Sequence, residues 1–156
     1  MRCASRGLST LVLAFGFALL APRAMAAQAP DGARIYAATC RACHQVTGLG
    51  MPNQFPPLVG SEWVLGSEER FVMIVLHGLV GEIEVEGETF NGAMPALGQT
   101  FTDADLAAVA SYVRQSWGNK AAPIATATVT RVRQAQAARM RPWTVAELQR
   151  ATMARP

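Results

Sequence analysis

Cys40-Arg41-Ala42-Cys43-His44 is the stretch of this 156-residue chain whose side chains and spacing point most directly to a chemistry. On a helix, positions i, i+3 and i+4 share one face, so both thiols and the imidazole project to the same side. Two thiols so spaced can each add across one vinyl group of a porphyrin, which brings the adjacent imidazole beneath the iron. C-x-x-C-H is the pattern of covalent c-type haem attachment. Two other chemistries use paired cysteines. A thioredoxin-like C-x-x-C needs a βαβ setting, and no strand–helix–strand pattern surrounds this one. A zinc site needs about four ligands, and outside the pentad only His77 and Cys3 remain.

An iron held by histidine on one side is open on the other, or takes a second His or a Met there. The candidates are Met51, Met73, Met94, His77 and, near the end of the chain, Met140 and Met153. Met51 follows His44 by only seven residues, too few to cross easily to the far face. Met73 and His77 fall on an apolar helical face, where core packing accounts for them. Met94 is the favoured ligand. It stands in Asn91-Gly92-Ala93-Met94-Pro95-Ala96, a stretch with no helical periodicity, where proline fixes the following backbone. His77 and an open position remain as alternatives.

The elements that must position these groups are mostly helical. Asp31 is a good N-cap for a helix running to about Cys43. Gly48, Gly50, Pro52, Pro56, Pro57 and Gly60 then impose a loop suited to wrapping a flat cofactor. A short helix is predicted from Ser61. Another follows the N-cap Ser67, with Glu68 and Glu69 in its first turn, Phe71, Ile74, Val75 and Leu76 on its apolar face, and Gly78 as its stop. Residues 82–90 switch to period two: Ile83 and Val85 face one side, while Glu82, Glu84 and Glu86 face the other. With Glu86-Gly87 as the turn they form a small hairpin, and residues 91–98 are expected to be loop. Thr102 and Asp105 make a capping-box-like start for a last core helix, whose stripe is Leu106, Val109, Ala110, Val113 and Trp117, with Gly118 past its end.

Before this core, Arg2 and Arg6 precede a 14-residue apolar run, Leu8 to Ala21, and Ala24-Met25-Ala26 follows. A basic start, a short apolar run and an A-x-A site read as a secretory signal peptide over residues 1–26. The run falls short of the ~18 apolar residues of a membrane span, though an uncleaved anchor is the alternative. Cleavage would remove Cys3, Arg2, Arg6 and Arg23. The formal net charge of +3 then falls to zero, with 11 basic against 11 acidic side chains. Nucleic-acid binding loses its support, and no disulfide framework remains. The charges are unevenly placed. Residues 27–119 carry 4 basic and 10 acidic side chains, whereas the tail, 120–156, carries 7 basic and 1 acidic and holds a second capping box at Thr144–Glu147. Three placements are open to that tail: along the acidic core of its own domain, on a partner subunit (slightly favoured), or disordered.

Residues 31–118 resemble a class I c-type cytochrome, a mono-haem family. The likeness rests on the pentad, Pro56-Pro57-Leu58-Val59-Gly60, Met94-Pro95 and a terminal helix containing Ser111-Tyr112-Val113-Arg114. It implies a mostly α fold with a small β-hairpin and a C-terminal helical or extended tail. It also implies one covalently attached haem c, with Cys40, Cys43, His44, Pro56, Leu58 and Met94 as cofactor-binding residues and His44 and Met94 on the metal. In the family the haem histidine donates its free N–H to a proline carbonyl in P-x-L-x-G, which maps to Pro56 or, off by one, Pro57. The first helix packs across the last, which would bring Gly32 and Tyr36 against Val109, Tyr112 or Val113. More narrowly, Val75-Leu76-His77-Gly78-Leu79, the acidic hairpin and Tyr112 to Asn119 resemble two groups: cytochrome subunits of periplasmic dehydrogenases, and the cytochrome domain fused to some copper nitrite reductases. The likeness covers about three-fifths of the chain.

The expected function is electron carriage in the periplasm, where haem attachment in this family takes place. A His/Met iron has no vacant position for a substrate, and the thioether favours the reduced form. Expected partners are redox proteins, namely a dehydrogenase or oxidoreductase subunit and a terminal oxidase or reductase. Membrane association is expected only through partners or an uncleaved N-terminus. The four glutamates of the hairpin are either a dock for a basic partner or a solvated strand face. The rival from the enzyme class is a haem catalyst or gas-binding sensor with a displaceable sixth ligand, for which His77 is the one other histidine. A third reading is an assembly subunit whose tail matters more than its haem.

Overall fold

Asp31 caps the first helix as its residue type predicts, its carboxylate accepting from the backbone N–H groups of Ala33 (3.0 Å) and Arg34 (3.2 Å). The computed structural model describes residues 30–153. The signal peptide read at 1–26 lies outside the described residues.

One continuous helical segment was expected up to Cys43, but its turns are not uniform. Helix α1 (Gly32–Ile35) widens into a π-helical turn over Tyr36–Cys40 before α2 (Arg41–His44). Both ends are anchored. A Cβ on Gly32 would stand 2.2 Å from the Ala108 carbonyl oxygen and 2.9 Å from Tyr112 Cβ, so only glycine allows this approach. Farther along, the buried Tyr36 ring packs on Tyr112 (5.6 Å) and Trp117 (5.0 Å), and its hydroxyl donates to the Gln45 carbonyl (2.7 Å). The first helix thus meets the last core helix at Ala108 and Tyr112, while Val109 and Val113 turn inward to the core.

Helix α3 (Glu62–Leu65) starts at Ser61, whose Oγ accepts from Trp63 N, and α4 (Glu68–His77) at Ser67, whose Oγ accepts from Arg70 N. Phe71 to Leu76 are all buried, so α4 is enclosed on every side rather than along one stripe. Gly78, at φ 79°, ends it. Strands β1 (Leu79–Val85) and β2 (Glu88–Met94) pair antiparallel around Glu86 (φ 50°) and Gly87 (φ 79°), a two-residue turn with both central φ positive. The hairpin is longer than its sequence pattern. Asn91 to Met94, expected as loop, continue the ladder through Glu82↔Asn91, Gly81↔Gly92, Val80↔Ala93 and Leu79↔Met94. A tight turn fixes the register for as long as backbone faces backbone, and the small and polar residues 91–93 left no period-two signal to reveal it.

Helix α5 (Asp103–Gln115) begins with a full capping box between Thr102 and Asp105. Its stripe of Leu106, Val109, Ala110 and Val113 is buried. Among the described residues no helix is long and apolar enough to cross a membrane.

The basic tail lies on its own domain. Helices α6 (Thr126–Ala135) and α7 (Val145–Met153) follow, and Val129, Val132 and Leu148 are fully buried, with Ile124 and Trp143 nearly so. Arg131 pairs with Glu69. Arg133 donates to Asp103 (2.6 Å) and to the carbonyls of Gly98 and Phe101. Thr130, by hydrogen bonding, and then Arg133 hold the Asp103 carboxyl below its usual range. The acidic core supplies the attraction that the charge asymmetry foreshadowed. The Thr144–Glu147 capping box forms as well.

Besides Asp103, two more groups make this docking acid-sensitive. Arg139, the Thr144 N–H and Arg141 hold the Glu147 carboxyl at about 2 against an ordinary 4.5. A depressed carboxylate stabilises the fold fully above its ordinary value and loses that contribution as pH falls through the folded one. His77 acts in the same sense at higher pH: burial, then the charges of Arg139 and Arg133, hold it below 6.5 against an opposing backbone bond from Arg139. Protection of the 139–150 amides, relative to their intrinsic exchange rates, is expected to fall in two stages, first below pH 6.5 and again between 4.5 and about 2. Glu147→Gln should shrink the second stage, leaving what Asp103 carries, and spare the first.

Candidate haem site

The turn at 36–40 and α2 deliver Cys40, Cys43 and His44 to the edge of an apolar cleft. Its atom-free space is about 1270 Å³, part of it open to solvent. Phe71, Ile74 and Val75 of α4, Ile83 and Phe90 of the hairpin, and Val109 and Val113 of α5 form its walls.

The loop after the pentad is bound to this helix at several points. His44 Nδ1 lies 3.0 Å from the Pro56 carbonyl oxygen, so of the two adjacent prolines it is Pro56 that faces the ring. Gly50 N donates to the His44 carbonyl (3.1 Å), and Leu58 N to the Gly48 carbonyl (2.7 Å). The end of α5 secures the rest. Asn119, only 6% exposed, donates from Nδ2 to the carbonyls of Leu58 (3.0 Å) and Val113 (2.9 Å), and its Oδ1 accepts from Gly60 N (3.0 Å). Trp117 Nε1 donates to the Val46 carbonyl (3.1 Å). Arg114, buried at 4% exposure, joins α5 to α3 through the carbonyls of Val64 (2.6 Å) and Gly66 (3.2 Å). Sequence reasoning missed Arg114 and Asn119 as structural ties. The one signal was a charged and an amide residue flanking an otherwise apolar helix end.

Met94 reaches the cleft as the last residue of β2, half-buried and in register with Leu79, which also lines it. All six residues singled out from sequence, Cys40, Cys43, His44, Pro56, Leu58 and Met94, therefore border one cleft. Of the competing ligands, Met51, Met73, Met140 and His77 do not, and the Met153 side chain lies outside the described residues. Met73 is wholly buried in the core, Met51 lines a separate cleft between the 49–57 loop and the hairpin tip, and Met140 is 92% exposed. His77 faces the tail, its ring edge-on to Trp143 (6.4 Å).

Electrostatics separate this site from the alternatives for a C-x-x-C. Burial, reinforced by Cys43, pushes the Cys40 thiol up to about 11, whereas redox-active thiols have depressed values. Burial also holds the His44 imidazole below its ordinary value, in the neutral form that binds metals, against the opposing bond to Pro56. Among the described residues no three His, Cys, Asp or Glu side chains gather as zinc would require, and the sheet is a lone antiparallel pair rather than βαβ. Among the described residues no Asp, Glu, Lys or Arg lines the cleft.

These residues fit a haem. Cys40 and Cys43 are unpaired thiols on the rim. His44 has Nδ1 engaged, leaving Nε2 for a metal, and Met94 offers a thioether from another element. The apolar walls match a porphyrin face.

A family profile described as cytochrome c oxidase, cbb3-type, subunit III matches residues 27–113. Cytochrome c-552 of Thermus thermophilus is 41% identical over 93 residues, which cover 57% of this chain and 70% of that protein. Cytochrome c6 of Gloeothece citriformis is 32% identical over 108 residues, 67% of this chain and 88% of that one. The cytochrome c subunit of the quinone alcohol dehydrogenase of Gluconacetobacter polyoxogenes is 33% identical over 105 residues, covering 65% of this chain but only 22% of the subunit. The chain belongs to this family of c-type cytochromes, which carry haem c and transfer electrons.

Removing the amide that ties the loop to α5 should be costly. Asn119→Ala is expected to lower unfolding free energy by about 2–4 kcal/mol, because buried donors and acceptors lose their partners. The denaturant midpoint measures it.

Proposed function

We propose, with that family membership as premise, that the protein is an exported mono-haem cytochrome that passes single electrons between redox proteins. In this reading Cys40 and Cys43 hold the haem covalently, and His44 and Met94 ligate its iron. The observation that carries it is the composition of the cleft: one imidazole, one thioether, two thiols and no charged side chain. When bound, haem supplies a reversible one-electron ferric–ferrous couple.

The chain's own groups do the rest. Cys40 and Cys43 would hold the haem through thioether links to its two vinyl groups. The bond between His44 Nδ1 and Pro56 fixes the ring plane and raises its basicity as a ligand. The Met94 sulfur favours the reduced state, and the apolar walls do so too by disfavouring the extra charge of the oxidised one. A haem catalyst would need a distal acid–base group. The polar side chains on the cleft, apart from the pentad's, are Thr39, Gln54 and Ser61, which do not titrate at neutral pH.

The basic start, apolar run and A-x-A of residues 1–26 support export to the periplasm, and residues 27–119 form the cytochrome domain with 120–156 as its basic extension. The resemblance to dehydrogenase cytochrome subunits supports a dehydrogenase or oxidoreductase as electron donor and a respiratory oxidase or reductase as acceptor. The hairpin supports a basic partner face. Glu82, Glu84, Glu86 and Glu88 are all exposed, and none enters an ion pair among the described residues. Four tail cations, Arg131, Arg133, Arg139 and Arg141, are engaged at Glu69, Asp103 and Glu147 instead. Such charge raises encounter rates more than affinity.

Three measurements test the reading. Denatured wild-type protein should keep its haem, and the double variant Cys40→Ala, Cys43→Ala should lose it; release from the wild type overturns covalent attachment. The ferric protein should show a weak near-infrared band that Met94→Ala removes, with CO binding quickly to the ferrous variant but not to the wild type. Fast CO binding to the wild type would instead favour a sensor or catalyst. Finally, replacing the four hairpin glutamates by glutamine should slow reduction of the ferric protein by hexaammineruthenium(II) several-fold at low salt and speed oxidation of the ferrous protein by ferricyanide.

A further inference from the structure

Met94 ends a two-stranded hairpin at the end remote from its turn, where such ladders are weakest, and Pro95 has no N–H with which to continue it. A third segment reinforces this end. Trp143 of the tail lies along the free edge of β1: its N–H donates to the Gly78 carbonyl (3.0 Å), and its carbonyl accepts from Val80 N (2.8 Å), forming a parallel bridge to Leu79. Leu79 is the register partner of Met94 on the other side. The backbone row Trp143–Leu79–Met94 therefore runs from the tail to the cleft. Gly78 closes the corner, since a Cβ there would stand 2.5 Å from the Met94 carbonyl oxygen. Leu97 N and Gly98 N bond back to the carbonyls of Val75 and Leu76.

Trp143 is itself held firmly. Its ring is 4% exposed, lies 3.4 Å from the Arg139 guanidinium carbon and meets the His77 ring edge-on. Arg139 is fixed by Glu147 (2.7 Å) and the Pro142 carbonyl (2.7 Å). The indole N–H is buried without a partner. The ring thus fills space and stiffens the edge, and it makes no hydrogen bond.

We propose that Trp143 is a positioning residue for Met94, holding the strand end that carries the thioether by completing a local three-stranded row through Leu79. The proposal rests on the reading of Met94 as an iron ligand. It makes the tail part of the haem site, although the tail contributes no lining residue to the cleft.

Imidazole titration of the ferric holoprotein, the near-infrared band and amide exchange at Leu79, Val80 and Met94 test it. Trp143→Ala should bind imidazole at least tenfold more tightly, weaken the band and speed exchange at those amides. Trp143→Phe keeps an aromatic ring and the backbone bonds and should behave as wild type. Val132→Ala, a fully buried truncation in α6, is the control for lost stability, expected to leave imidazole affinity within twofold. Unchanged imidazole affinity and exchange in Trp143→Ala, or an equal gain in Val132→Ala, overturns the positioning role. If Trp143→Ala does not fold, Trp143→Leu carries the same expectation and the same refutation. A band that survives Met94→Ala overturns the ligand reading itself, and the proposal with it, which separates the two failures.

Discussion

The contact between the His44 imidazole and the Pro56 carbonyl is the point on which the site turns. It joins the helix carrying both thiols to a glycine- and proline-rich loop that has little structure of its own. A single hydrogen bond of this kind is worth only about 1 kcal/mol, so it holds geometry only if both partners are already in place. The ring side is set by Gly32 against Ala108 and by Tyr36 among Tyr112 and Trp117. The carbonyl side is set by Asn119, which grips Leu58 and Gly60. Both sets of ties end on α5 or on the turn just after it, where Asn119 bonds back to the Val113 carbonyl.

What could be read in the sequence was local. The caps at Asp31, Ser67, Thr102 and Thr144 each concern groups within about three residues of one another, and all four form. The pentad and the residues paired with it in the resemblance come to one cleft because each type has a chemical reason to be there. Other features depended on partners far away in the chain. The extra rungs from Asn91 to Met94 exist because Leu79 to Glu82 stand opposite, whatever their polarity. Arg114 is buried because the carbonyls of Val64, Gly66 and Ala122 surround it, the first of them 50 residues away. The wide turn at 36–40 follows from fixing both its ends and leaves no mark in residue type.

The charge pattern was legible as an asymmetry, and the structure gives it a destination. The tail does not spread its cations evenly over an acidic core. Arg131, Arg133, Arg139 and Arg141 pair with Glu69, Asp103 and the tail's own Glu147, and among the described residues none forms an ion pair with the hairpin. The balance of basic and acidic side chains over residues 27–156 therefore conceals two kinds of surface, one internally compensated and one left negative on the hairpin. Net charge alone would have suggested a featureless exterior.

The π turn before the pentad has a consequence for the helix as a whole. In a regular α-helix, positions 32, 36, 40 and 43 would all fall on one side, so the face pressed against α5 and the face offering the thiols would coincide. One residue of extra winding shifts the phase by about 100°. The packing face and the chemical face are thereby set independently on a single continuous rod. Shortening residues 36–40 by one would restore ideal helical geometry and still spoil the protein, since the pentad would rotate away from the cleft while every residue in it stayed the same.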